Sequence, residues 1–108
     1  MRVYIAGPMT GIAKHNFPAF DAAAQCLTRI GYDVESPADI DRSIGITEDT
    51  PFEDVLPEMK RLFEMDLKAL ASCQHIYMLR GWENSVGARA EWATALRMGI
   101  KPFYQEII

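Results

Sequence analysis

Short apolar runs alternate along this chain with stretches of helical period. Val3-Tyr4-Ile5-Ala6 is an apolar run stopped by Gly7-Pro8, which predicts a buried strand ending in a turn. Phe17, Phe20, Ala24, Leu27 and Ile30 recur at threes and fours, so residues 17 to 30 read as an amphipathic helix. Asn16 stands where an N-cap belongs, Pro18 is tolerated in a first turn, and Gly31 supplies the stop. Tyr32 to Ser36 reads as a second, weaker strand closed by Pro37. Residues 38 to 50 are polar and lack a clear period, which predicts the longest irregular stretch, suited to a mobile loop over a site. Thr50-Pro51-Phe52-Glu53 has the form of a capping box, and Pro57 should kink or restart the helix that follows. Met59, Phe63, Leu67 and Leu70 mark that helix's apolar stripe.

His75 to Leu79 predicts a third strand, and Gly81 to Ser85 the loop after it. A helix follows from near Ser85 to about Met98, with Ala88, Trp92, Ala95 and Leu96 facing inward and Gly99 as its stop. Lys101-Pro102-Phe103-Tyr104 begins a last short strand. Strands and helices in alternation imply right-handed crossovers and a parallel α/β sheet covered on both faces. In such folds ligands bind outside the carboxyl ends of the strands, the edge where both glycine-containing loops fall.

The bulk properties narrow this picture. At 108 residues the chain fits one domain, 1–108, and its 49% hydrophobic content can build a core. A domain this small buries a limited share of its surface, which favours oligomers. The net charge of −4 and the lack of a basic stripe argue against a nucleic acid partner. No apolar run is long enough to span a bilayer, and the start of the chain reads as a strand rather than a leader, so a cytoplasmic setting is expected. Cys26 and Cys73 lack metal-ligand spacing and read as small buried hydrophobes in a reducing compartment.

Three features carry chemistry. In Ser85-x-Gly87-x-x-x-Glu91, Ser85 can cap the helix and Gly87 lets a ligand approach the first-turn amides, whose partial positive charge suits a phosphate or a sugar hydroxyl. Glu91, one turn on, falls beside the stripe of Ala88, Trp92 and Ala95 and can look into a cleft; a capped helix with a snorkelling glutamate fits the same residues. Asp66 shares its helix face with Phe63 and Leu70, and an inward acid is costly unless it is paired or used. It reads either as a site carboxylate or as a rim carboxylate paired with a distant arginine such as Arg89. The loop Gly7-Pro8-Met9-Thr10-Gly11 is neither a dinucleotide fingerprint nor a phosphate-binding loop and, taken alone, is a turn. His75 reads as structural. His15 carries little signal. Trp82 lies in a loop, where it can stack on a base or merely cover the sheet edge. No metal-ligand cluster and no Ser-His-Asp or Cys-His arrangement is evident.

Taken together these runs resemble the nucleoside 2-deoxyribosyltransferase-like superfamily. Gly7 to Gly11, Asn16-Phe17-Pro18-Ala19-Phe20 and Gly81-Trp82-Glu83-Asn84-Ser85-Val86-Gly87-Ala88-Arg89 match a small phage and bacterial branch related to the 2′-deoxynucleoside 5′-monophosphate N-glycosidases. The resemblance covers nearly the whole chain and is weakest from about 38 to 52. It implies a three-layer Rossmann- or flavodoxin-like sandwich with a parallel sheet of four to five strands. It also implies a homodimer or larger homo-oligomer, a nucleoside or nucleotide as small-molecule partner, and no metal or organic cofactor.

By the same resemblance, Glu91 matches the nucleophile and Asp66 the aspartate that helps protonate the departing base. Tyr4 and Gly7 match a first-strand tyrosine and a turn glycine, Met9 a hydrophobic residue near the base, and Ser85 and Gly87 the holders of the 5′ group. Where many relatives carry an aspartate at the start of the third strand, this chain has Gln74-His75. The activity implied is cleavage or transfer at an N-glycosidic bond. Two rivals are a non-catalytic nucleotide-binding or sensing protein on the same fold, and a structural module marked by an apolar patch on the outer face of residues 52 to 63.

Overall fold

The computed structural model describes residues 1–106. Four parallel strands, β1 (Arg2–Ala6), β2 (Asp33–Glu35), β3 (His75–Met78) and β4 (Lys101–Tyr104), form one sheet in the order β2-β1-β3-β4. β1 is central; Tyr4 is in register with Glu35 on one side and Ile76 on the other. This is the three-layer, flavodoxin-like arrangement expected, with four strands among the described residues.

Alternation along β1 divides the core. Val3 and Ile5 face one layer with Phe17, Phe20, Ala23 and Leu27 of α1 (Phe17–Arg29). Tyr4 and Ala6 face the other, with Leu70 of α4 (Met59–Ala71) and Ala95 of α5 (Val86–Arg97). Both faces of the strand are buried, which explains its uninterrupted apolar sequence. β1 and β3 continue into their loops in close contact: a Cβ on Gly7 would lie 2.8 Å from the Cβ of Leu79. No helix among the described residues is long and apolar enough to cross a membrane.

The region 38 to 50 departs from expectation. Pro37–Ser43 is a helix, α2, with Pro37 in its first turn and the Ser36 hydroxyl accepting from the Ala38 amide at 3.3 Å. Its signal was a cap followed by proline rather than a hydrophobic period, because α2 is only two turns long and contributes few core residues. The turns after it are fixed by Ile46, which is buried, and by the Thr50 hydroxyl accepting from the Thr47 amide.

That bond also leaves the anticipated capping box unformed: Pro51 occupies the cap position of α3 (Phe52–Val55) without a side-chain cap. Asn16 does stand at the cap position of α1, but its side chain makes no cap hydrogen bond. It closes a run of three left-handed residues, Lys14, His15 and Asn16, and its amide nitrogen donates to the Pro8 carbonyl at 2.8 Å. Pro57 does restart the helix, through one 3-10 turn ahead of α4. Two further expectations fail on exposure: Leu96 and Cys26 face solvent, whereas Cys73 is buried.

Candidate active site

The loops at the carboxyl ends of β1 and β3, together with α2, α3, α4 and the start of α5, enclose a cavity of about 630 Å³. Its size is that of a small-molecule site. Gly7, Met9, Asp66, Ser85, Gly87 and Glu91 all line it, so six residues spread over 85 positions meet in one place. Tyr4 lies beneath, fully buried.

Glu91 is brought there by α5. Ser85 caps that helix, its hydroxyl oxygen accepting from the Ala88 amide at 3.1 Å. The cap leaves the hydroxyl proton of Ser85 free to donate. It also leaves the amides of Val86 and Gly87 without intrahelical partners, as every helix start does. A Cβ on Gly87 would meet nothing within 4 Å, so its glycine keeps space open in front of those amides. One turn on, Glu91 is 5% exposed, and the Tyr4 hydroxyl donates to its Oε2 at 2.5 Å. The arrangement matches neither a snorkelling glutamate nor a simple surface cap.

Asp66 enters from α4. Its Oδ1 is buried without a hydrogen-bond partner. Pairing with Arg89 does not occur; that guanidinium turns to the Ser85 carbonyl at 3.4 Å. The cavity wall holds a third acid that pattern reading missed. Asp41 on α2 is 7% exposed, and finding it required recognising α2. His15 is also in the wall, its Nε2 2.6 Å from the Thr50 carbonyl, held there by the left-handed turn.

Burial raises all three acids. Glu91 is pushed up to about 8 by desolvation, opposed by the Tyr4 hydrogen bond and reinforced by Asp66. Asp66 rises to about 7 through burial and then the charge of Asp41, and Asp41 to about 6 through burial, with His15 and Arg42 pulling the other way. Tyr4 is raised well above its ordinary value by burial and then by Glu91, so it stays a donor. The carboxyls hold protons into the neutral range, and Tyr4 singles out Glu91 as the one whose charged form is hydrogen-bonded.

Trp82 lies elsewhere. It packs against Trp92, with ring centroids 5.2 Å apart, and against Tyr104, and is absent from the cavity wall. His75 is structural as anticipated, stacked on Phe103 with centroids 4.6 Å apart. Of the half-exposed Phe52, Leu56 and Met59, Phe52 and Met59 belong to the cavity wall; only Leu56 fits an outer patch.

No functionally curated protein matches the sequence. Among solved structures, the chain is similar to one described as a 2-deoxyribosyltransferase from the psychrotolerant bacterium Bacillus psychrosaccharolyticus. The identity is 19% and the TM-score 0.69, covering 100% of this chain and 77% of the other. That likeness establishes the shared fold. Residues 1–104 match the model of a domain of unknown function, DUF4406, and the chain belongs to that family.

Proposed function

We propose that this chain cleaves or transfers at the N-glycosidic bond of a 2′-deoxynucleoside or its 5′-monophosphate, with Glu91 as nucleophile. The observation that carries this reading is the pair of carboxyls in one cavity wall: Glu91, hydrogen-bonded by Tyr4, and Asp66, with a bare buried oxygen. Cleavage at C1′ passes through an oxocarbenium-like state, which calls for one ionised and one protonated carboxyl. Glu91 titrates above Asp66, so the reactive form, Glu91 ionised and Asp66 protonated, is the minor arrangement of the pair's proton, and the Tyr4 hydrogen bond raises its share. The similarity in fold to a 2-deoxyribosyltransferase supports the same reaction class.

Glu91 attacks C1′ as the bond to the base nitrogen breaks, and the bonding pair leaves with the base. Asp66 gives that base a proton. The product is a glycosyl ester on Glu91. In the second step Asp66, now ionised, takes a proton from water or from a second base as it attacks C1′. The ester C–O bond breaks and Glu91 is restored. Ser85 and the free amides at the start of α5 hold the 5′ hydroxyl or phosphate, with Gly87 leaving the room. Met9 and Gly7 border the substrate. The steps need no cofactor.

The test is chromatographic. The protein and its Glu91→Gln variant are incubated with ribo- and deoxynucleosides and their 5′-monophosphates, with and without an added free base. Base release by the wild type alone is the expected result, and new nucleosides formed with added base identify a transferase. Equal turnover by Glu91→Gln would sink the mechanism. No release from any substrate, with a rise in melting temperature on adding nucleotide, would identify a binding protein instead.

A further inference from the structure

Asp41 has no part in the bond-breaking step, and among the described residues its side chain makes no hydrogen bond. The side chain is 7% exposed and faces the cavity. Arg42 and His15 act on it at a distance, but among the described residues neither hydrogen-bonds to it. The guanidinium of Arg42 is committed to Asp21 and Asp39, and the ring of His15 to the Thr50 carbonyl. A buried carboxyl left this way is costly unless a ligand donates to it. A metal ion does not answer the need, since no group of three His, Cys, Asp or Glu side chains among the described residues is disposed to hold one.

The order of the three acids says which part of a substrate would reach Asp41. α4 packs between α2 and α5. The Tyr4 hydroxyl feels Glu91 most, then Asp66, then Asp41. A substrate with C1′ at Glu91 and its leaving nitrogen at Asp66 therefore extends its base toward α2. Phe52, Val55, Leu62 and Phe63 give the cavity apolar surface fit for a flat ring. No lysine or arginine is among the described lining residues, so this end of the cavity offers acceptors and no fixed cation.

We infer that Asp41 reads the base, selecting an amino-bearing ring of the adenine or cytosine type over its oxo counterpart. The inference rests on the N-glycosidic reading above and names its substrate class. An exocyclic amine donates to the Asp41 carboxylate. A ring carbonyl at the same position sets lone pairs against a buried negative charge. A polar group built to receive a donor rejects the analogue lacking one far more strongly than an apolar pocket distinguishes shapes.

Two measurements decide it. The first is calorimetric binding of adenine, cytosine, hypoxanthine and uracil to Glu91→Gln protein, which does not depend on turnover. Amino bases should bind at least about ten-fold more tightly than oxo bases. Equal affinities would overturn the inference whether or not the enzyme turns over. The second is kcat/KM of wild type and Asp41→Asn on 2′-deoxyadenosine, 2′-deoxycytidine, 2′-deoxyinosine and 2′-deoxyuridine. The amino-to-oxo ratio should collapse toward one in the variant, through KM more than kcat. A ratio that survives in a folded Asp41→Asn protein overturns the inference. Should the variant not fold, the base affinities of the Asp41-bearing protein still decide. A preference for amino bases without turnover on any substrate would leave base recognition standing and remove the chemistry; turnover without base preference does the reverse.

Discussion

The two ends of the sheet treat charge in opposite ways. At the amino end, Arg2 at the start of β1 faces two acids on β2, bonding to Glu35 and lying 3.9 Å from Asp33, while its backbone amide donates to Gln74 at 2.9 Å. His75 stacks on Phe103 beside them. Some atoms there stay unpaired, Arg2 Nε and His75 Nδ1, but each belongs to a group held by other contacts. At the carboxyl end, three acids stand in one cavity wall and no lysine or arginine accompanies them among the described residues. The same strand carries Arg2 at one end and Tyr4 two residues on, so the difference owes nothing to the scaffold. One end pairs its charges with one another; the other gathers acids in a cavity without a lysine or arginine among the described lining residues.

The largest expected effect of breaking this contrast is on turnover. Glu91→Gln keeps an oxygen to accept from Tyr4 and removes the attacking charge. We expect kcat to fall by about 10³-fold or more under saturating substrate. The same variant should be more stable than wild type by about 1 kcal/mol at pH 8, read from urea midpoints, because it removes a buried ionisation. Lost activity with lost stability would mean that Glu91 is a structural residue.

Next comes the dependence of stability on pH. Asp41, Asp66 and Glu91 titrate in the folded chain near 6, 7 and 8, all above the values they have when unfolded. Between about pH 4 and 8 the native state therefore holds protons that the unfolded chain has released, and stability falls as pH rises through that window. Above the highest folded value the loss is complete. We expect the unfolding free energy to drop by several kcal/mol from pH 5 to pH 8, and the drop to shrink in Asp66→Asn. A flat profile would mean that the acids are already ionised and solvated, and the contrast between the two ends would disappear.

How much of this was visible in the residue pattern follows from how each element is stabilised. β1, α1, α4 and α5 bury a periodic apolar face, and such a face is written directly in the spacing of Phe17, Phe20 and Leu27. α2 instead depends on Ser36, Pro37 and its neighbours, so no hydrophobic period marks it, or Asp41 with it. Spacing did mark the cap position of Asn16, but not that its side-chain amide turns to the Pro8 carbonyl in a left-handed turn instead of capping α1. The six anticipated residues that line the cavity stand in short ordered motifs, which a residue pattern displays directly. Trp82 was misplaced because a loop tryptophan carries no direction of its own; Trp92 and Tyr104, distant in sequence, set it.

A smaller effect tests the donor side of the cavity. Gly87 sits in the first turn of α5 with open space where a Cβ would go. Gly87→Ala should leave the fold intact and raise stability by about 0.5 kcal/mol, since alanine restricts the unfolded chain. In the cavity the added methyl occupies the approach to the Val86 and Gly87 amides. KM should rise about ten-fold, with a smaller change in kcat, if those amides hold the 5′ group. An unchanged KM with raised stability would show that the substrate stays clear of the helix start.

The smallest effect belongs to the amino end. Glu35→Gln removes the strongest partner of Arg2, but both side chains are about a third exposed, and surface pairs of this kind contribute little. Asp33 is within reach to take part of the load, and the glutamine oxygen can still accept one hydrogen bond. We expect a loss of about 0.5 kcal/mol, visible as a small shift in urea midpoint that shrinks further at high salt. Turnover should not change, because neither Arg2 nor Glu35 lines the cavity. A change in kcat or KM would mean that the two ends are coupled through β1: a shift at Arg2 would be passed to the Tyr4 hydroxyl, and from there to the carboxylate it holds.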